Sequence, residues 1–285
     1  MDTYHINKMK INKIILTACL IFLVSSMEIT SVHAAAMSFK EDKAMIRLGG
    51  FFVRNYDTVV RVDSKKGPVG TFIKLDDTLG VEDALDVLRI DGYYRFGFKH
   101  RVDFSWFRTN RSGTKILEKE FTFNGETFLI GDEIHTNIDT NLFKASYAYS
   151  LYRVPELELG VSVGLHYVSH DMDINSISSL VSEDESFELP MPVAGFFFDY
   201  ALMRKLSLQL QSETFLVNYS EVRGSMTDFN IGLEYRTSDN YAFGLAINRS
   251  VLDVEKDEEK KEISVNSAKT GYLLYAAYYF GKHKD

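Results

Sequence analysis

Five residues near the middle of the chain carry groups that could do chemistry: His166, Ser169, His170, Asp171 and Asp173. A hydrolase of the acid–base type needs an imidazole within hydrogen-bond reach of a serine or water, and a carboxylate to orient it. His166 and His170 lie two pleats apart on one face, and Asp171 follows directly, so these three are the candidate catalytic residues. The plainer reading of the same residues is a polar rim that leads into a polar loop. Asp171-Met172-Asp173-Ile174-Asn175 also opens like a calcium loop, which makes Asp171 and Asp173 candidate metal ligands. Its sixth position is Ser176 instead of glycine and its twelfth is Ser182 instead of glutamate, so an EF-hand is rejected. Gly160-Val161-Ser162-Val163-Gly164 matches the G-x-S-x-G pattern of serine hydrolases. That chemistry needs a sharp strand-to-helix turn, whereas here the three defining residues share one face of an alternating stretch.

The elements that must position these residues alternate with period two. In Leu157 to Tyr167, one face is Leu157, Leu159, Val161, Val163, Leu165 and Tyr167; the other is Glu158, Gly160, Ser162, Gly164 and His166. Successive strand side chains point to opposite faces, so this is a strand with one apolar and one polar or small face. Leu206 to Thr214 and Asp228 to Arg236 repeat the pattern. About ten such strands can be placed, near 44–54, 86–97, 101–111, 134–150, 157–170, 190–201, 205–218, 225–236, 241–254 and 263–281, and eight or twelve remain open. Tight turns at Phe98–His100, Tyr152–Pro155, Leu202–Arg204 and Thr237–Asn240 alternate with longer polar connections at 56–85, 112–133, 172–187, 219–224 and 255–262. Asn124-Gly125 between two short apolar runs is a two-residue hairpin signal at the tip of the second long connection.

Composition narrows the class. The 285 residues are 45% hydrophobic, 25% charged and 13% aromatic, with four prolines and one cysteine. A mean hydropathy of −0.13 excludes a helical membrane protein with several spans. The net charge of −8 argues against a nucleic-acid partner. Lys8, Lys10 and Lys13 followed by the apolar run Ile14–Val24 and then Ala34-Ala35-Ala36 form a secretory signal pattern. The expected organisation is a signal peptide over 1–34, with cleavage possible up to 36, and a single domain over 35–285. The one cysteine, Cys19, would leave with the signal.

The final strand places Tyr272, Leu274, Ala276, Tyr278 and Phe280 on one face. With Arg89–Phe96 and Arg101–Trp106, it makes the chain resemble small bacterial outer-membrane β-barrel proteins. It departs from them in the tail Gly281–Asp285 that follows the last aromatic. The resemblance implies an all-β fold: an antiparallel, transmembrane, up-and-down barrel with short periplasmic turns and longer outer loops. It also implies the bacterial outer membrane as location, membrane lipid and lipopolysaccharide as partners, and the assembly machinery as reader of the last strand. The expected role is structural, surface-interacting or passage of a small solute. The alternatives are a hydrolase at the rim, of lipid A deacylase, lipase or protease type, and a secreted soluble barrel with its apolar face inward. No cofactor is expected beyond Ca2+ or Mg2+ bridging of the acidic rim, formed by Asp76, Asp77, Glu82, Asp83, Glu183–Glu185 and Asp253–Glu259, to lipopolysaccharide phosphates.

If the apolar face meets lipid, the other face is a lumen holding Arg47, Arg89, Asp91, Arg95, Asp103, Lys144, Glu158, His166, Asp199, Glu213, Asp228, Glu234 and Arg236. Buried charges are tolerated when paired. A three-residue loop Phe98–His100 would set Arg95 opposite Asp103 and make them a lumen ion pair. Mixed, neutralising charges imply a plugged interior.

Overall fold

The computed structural model describes residues 42–178, 181–219 and 222–282. The expected signal segment lies outside the described residues. Among the described residues, thirteen strands form: β1 (Asp42–Ser64), β2 (Ile73–Lys74), β3 (Leu85–Arg95), β4 (His100–Ile116), β5 (Phe121–Phe123), β6 (Glu126–Phe128), β7 (Glu133–Arg153), β8 (Leu157–Ser176), β9 (Ser182–Met203), β10 (Leu206–Tyr219), β11 (Val222–Arg236), β12 (Tyr241–Asp257) and β13 (Lys261–Lys282). A short helix α1 spans Leu75–Leu79. Ten strands, all but β2, β5 and β6, run antiparallel in sequence order, and β1 pairs with β13 from Asp42↔Lys282 to Ser64↔Lys261. The sheet is therefore a closed barrel with no free edge.

One row of the ladder gives the pitch. Arg89 lies opposite Phe107, then Leu142, then Val168 in one direction. In the other direction the row runs through Gly49, Tyr275, Gly244, Glu234, Ser207 and Ala201, whose N–H bonds Glu156 O. One circuit thus climbs from Glu156, just before β8, to Val168 on β8, which corresponds to a strand tilt of about 40°.

The two faces separate as the alternation requires. Leu165, Trp106, Phe143, Leu245, Ile247 and Leu274 all point outward and are exposed. A soluble barrel would bury them, so the apolar-inside alternative fails. This apolar belt covers about nine residues of each strand, ~23 Å in height. Tyr94, Phe96, Tyr147, Tyr235, Tyr241, Tyr278 and Phe280 ring its turn end. Above it the outward positions become polar: Ser169 and Asp171 after Tyr167, Arg108 after Trp106, Arg249 after Ile247. Most strands continue far beyond the belt, so much of the long connections is itself hairpin. β8, for example, runs on to Ser176, and β9 begins at Ser182.

The mouth of this extension is filled. Leu75 and Leu79 of α1 point inward and pack with Val62, Ile134, Ile174 and Ile263, while Phe121, Phe123 and Phe128 of the β5–β6 hairpin complete the same cluster. Asn124 and Gly125 hold φ of 51° and 93°, the left-handed pair that the Asn-Gly signal demands.

Two ladders stop short of their strand ends. That between β3 and β4 stops at Arg89↔Phe107. The space above is bridged: Glu82 N–H bonds Ser112 O, and buried Arg111 donates to Glu82 O at 2.7 Å and Tyr56 O at 3.2 Å. That between β9 and β10 stops at Ala194↔Thr214, although β9 continues to Ser182 and β10 to Tyr219. Extending its register sets Pro192 opposite Leu216 and Pro190 opposite Asn218. Ala201 turns its N–H toward β8, so even-numbered residues of β9 face β10. The two positions that should donate there are both proline, which has no N–H.

The turn after β3 corrects one expectation. The connection is Phe96–Lys99, with His100 already in β4, and Arg95 lies opposite Arg101 while Asp103 faces Tyr93. The register is two residues from the expected one. A shift of two keeps every side chain on its face, so face assignment could not detect it.

Close approach fixes some glycines. A Cβ on Gly244 would lie 2.1 Å from the ring of Tyr275, which crosses it on the inner face. Gly244→Val should displace that ring and destabilise the barrel by about 1–3 kcal/mol, read as a lower urea midpoint in lipid vesicles. An unchanged midpoint would show that the ring moves freely.

Candidate functional site

The inward faces build a column of charge from the turn end upward. At the base, Arg95 donates to Glu158 at 2.7 Å from three strands away round the ring. Ser150 Oγ donates to the same carboxylate at 2.5 Å, and Arg153 lies 3.6 Å from it. Arg236 pairs with Asp42, and Arg47 reaches Glu234 at 3.3 Å. Tyr275 donates to Glu234 at 3.1 Å, and Tyr279 bonds its other oxygen. The Arg47 and Arg236 guanidiniums lie 4.0 Å and 3.7 Å from the Tyr275 and Tyr279 ring centroids. Arg95 therefore meets Glu158 where the sequence suggested Asp103, and Asp103 is taken by Arg101 at 2.8 Å.

Above this floor lies a cavity of about 110 Å3 lined by both signs of charge, including Arg89, Asp91, Arg101 and Asp199. Its roof is a bridge: Lys144 on β7 reaches Asp228 on β11 at 3.2 Å and Glu213 on β10 at 3.8 Å. β7 and β11 are four strands apart in a ring of ten, so the bridge crosses most of the lumen. Asn248 donates to Asp228 at 3.0 Å. A second cavity of about 60 Å3 lies beyond, walled by Leu142, Val168, Met191, Met226 and Leu252, and reached by Lys269. The apolar cluster in the extension closes the column above.

The candidate catalytic residues do not converge. His166 is fully buried in the lumen, and its Nε2 donates to Glu213 Oε2 at 2.9 Å. Ser146 Oγ donates to the other oxygen of Glu213 at 3.1 Å. A serine triad has imidazole in the middle, between hydroxyl and carboxylate. Here carboxylate is in the middle, so nothing draws a proton from the serine. His170 also faces inward, about 13 Å along the strand from His166, and shares a 2.8 Å hydrogen bond with Thr140. Asp171 points outward, and so does Asp173. They stand on the other face of β8 from both histidines. Among the described residues, no group of three or more His, Cys, Asp or Glu side chains could hold a metal ion. Much of the acidic rim is met by lysines: Lys74 with Asp76 and Asp77, Lys261 with Glu185, and Lys256 with Glu258.

Sequence reasoning found most inner charges and missed Asp42, Arg101, Arg111, Arg153 and Lys269. Four of these lie at or beyond the expected strand ends. For Arg101 and Arg111 the even spacings of two and eight residues from Asp103 were the available signal, whereas Asp42 and Arg153 stand at odd spacings from Arg47 and Lys144, the latter beyond a bulge at Ser150/Tyr152. Pro190 and Pro192, spaced by two on one strand, likewise mark a ladder edge.

No family model matches the chain, and no curated sequence does. Solved structures do. The outer membrane protease OmpT from Escherichia coli is similar at a TM-score of 0.54 and 11% identity, over 85% of this chain and 97% of that one. OprG from Pseudomonas aeruginosa matches at 0.42 and 14%, over 86% and 99%. Ail of Yersinia pestis matches at 0.34 and 12%, over 85% and 99%.

Two predictions follow from the lumen and the extension. Glu158→Ala strips Arg95 and Arg153 of their shared carboxylate and should cost about 3–5 kcal/mol, measured by urea unfolding in vesicles; a loss under ~1 kcal/mol would mean the arginines find another anion. His170 lies above the belt, where burial and then the charge of Arg111 push its imidazole down to about 4. An unfolded imidazole titrates near ~6.5. The unfolded state therefore binds more protons between these values, and stability should fall as pH drops from ~6.5 to ~4. His170→Phe should flatten that part of the profile; an unaltered slope would assign it to other groups. With closure, belt and OmpT-like course together, the chain has the ten-stranded form of the bacterial outer-membrane β-barrel fold.

Proposed function

We propose that this protein is an integral barrel of the bacterial outer membrane with a sealed axis, acting as a structural and surface-interaction element of the envelope. The observation that carries this reading is the Lys144–Asp228 bridge, stacked between the Arg95–Glu158 floor and the apolar cluster in the mouth. A solute path along the axis would have to break all three. A buried ion pair broken on one side costs about 3–5 kcal/mol, so small-solute passage is disfavoured. The rim-hydrolase alternative gains no support from OmpT, because likeness at 11% identity speaks for fold alone. Asp171 faces away from both histidines, and His166 gives its Nε2 to Glu213 rather than to a serine hydroxyl.

The apolar belt with its aromatic ring supports outer-membrane lipid and lipopolysaccharide as surroundings. Export through a signal over 1–34 and recognition of the Tyr272–Phe280 strand by the assembly machinery complete the proposal. Ca2+ or Mg2+ would bridge only those rim acids that lysines leave exposed.

Isolated outer membranes should contain the protein in a form whose gel mobility shifts on boiling. Purified protein in a planar bilayer should give no conductance steps. A soluble periplasmic product would end the placement, and regular steps of fixed size would end the sealed-axis reading.

A further inference from the structure

Among the described residues, the barrel wall has one seam that no backbone closes. Above Ala194↔Thr214, no hydrogen bond joins β9 to β10 among the described residues, and Pro190 and Pro192 remove the donors that could make one. The corresponding gap between β3 and β4 is tied by Glu82 and Arg111; this one is covered by side chains alone. Leu189, Met191, Val193, Phe215 and Met226 pack across its inner side. Its outer side shows Pro190, Pro192 and Leu216, the last 79% exposed. On β9 the two prolines lie on the turn side of Glu188, so the foot of the seam lies in the upper part of the belt. Thioether side chains repack easily, which suits a passage that opens and closes.

The seam leads to the upper cavity, since Met191 and Met226 belong to both. At its inner end is a cation without an anion. Lys269 has no carboxylate within 4 Å among the described residues; its Nζ lies 4.7 Å from the Phe107 ring and 5.6 Å from the Tyr56 ring. Asp228, the nearby acid, is held by Lys144 and Asn248. His166, fully buried, lines the same cavity with Nδ1 unpartnered. The axis is barred below by the bridge and above by the apolar cluster, so the side is the remaining way in. The volume of about 60 Å3 takes roughly four or five water-sized groups, enough for a charged head and the first methylenes of a chain.

We propose that the β9–β10 seam admits a single-chain amphiphile with a carboxylate head from the outer leaflet, with Lys269 binding the head and the chain lying between Met191, Phe215 and Met226. This rests on the belt lying in lipid, as argued under the proposed function.

The test uses a twelve-carbon carboxylate carrying a diazirine in mid-chain, added to the full chain in vesicles and photolysed. Adducts mapped by mass spectrometry should fall on seam residues of β9, β10 and β11. Lys269→Met should lower seam labelling by about tenfold or more, the range for a charge-assisted contact, while Lys269→Arg should retain it. Pro190→Val with Pro192→Val restores the donors and should also suppress it. The boiling shift is scored on every sample, so loss of the fold or of membrane insertion is told apart from loss of the site. Adducts confined to outward belt residues such as Leu165 and Ile247, or seam labelling unchanged by Lys269→Met in a heat-modifiable barrel, would overturn the proposal.

Discussion

On a sheet crossing hydrocarbon, each orphaned N–H or C=O along an open strand edge costs several kcal/mol, because no water is there to meet it. The pairing of β1 with β13 satisfies that constraint, and much else follows from it. Closure makes one face of every strand an outside and the other an inside. It also brings residues from opposite ends of the chain together, as with Arg236 and Asp42. The belt outside and the charge column inside are two consequences of one backbone requirement.

The inside then has its own constraint. A ten-stranded barrel is too narrow for its inner charges to be solvated as they would be at a free surface, so most of them are met by an opposite partner. Several of those partners sit on strands three or four places away round the ring, which turns neutralisation into cross-bracing. Arg95–Glu158, Arg47–Glu234 and Lys144–Asp228 all cross the lumen in this way. Tyrosines contribute twice, as donors to Glu234 and as faces for Arg47 and Arg236. The interior is thus filled by pairing at the base and bridge, and by apolar packing in the extension, where α1 and the β5–β6 hairpin fold into the mouth.

The wall departs from full pairing at two places, and the contrast between them is instructive. Beside β4, a loop and a buried guanidinium replace the missing ladder, so the opening is tied by hydrogen bonds. Beside β10, two prolines prevent the ladder, and only non-directional packing covers the gap. Contacts of that kind give way locally at lower free energy than a hydrogen-bonded ladder. The seam is therefore where the barrel can open sideways without losing its closure elsewhere.

The sequence by itself determined the faces. Strict alternation from Leu157 to Tyr167 and its repeats leaves one assignment of apolar and polar sides, and the tight turns put the strand count near ten while leaving eight or twelve open. Asn124-Gly125 specified its own hairpin, because few other residue pairs accept two left-handed conformations in a row. Tertiary structure alone decided the partners. Arg95 meets Glu158 and not Asp103 because register moved by two residues, a change invisible to a pattern of period two. His170 and Asp171 are neighbours in sequence, but the pleat sends them to opposite sides of the wall. The filling of the mouth by Leu75, Leu79 and the Phe121–Phe128 hairpin was equally hidden, because those residues pack against strands far away in the chain. Local geometry is written in neighbouring residues; who faces whom across a lumen depends on closure, which only the whole ring can supply.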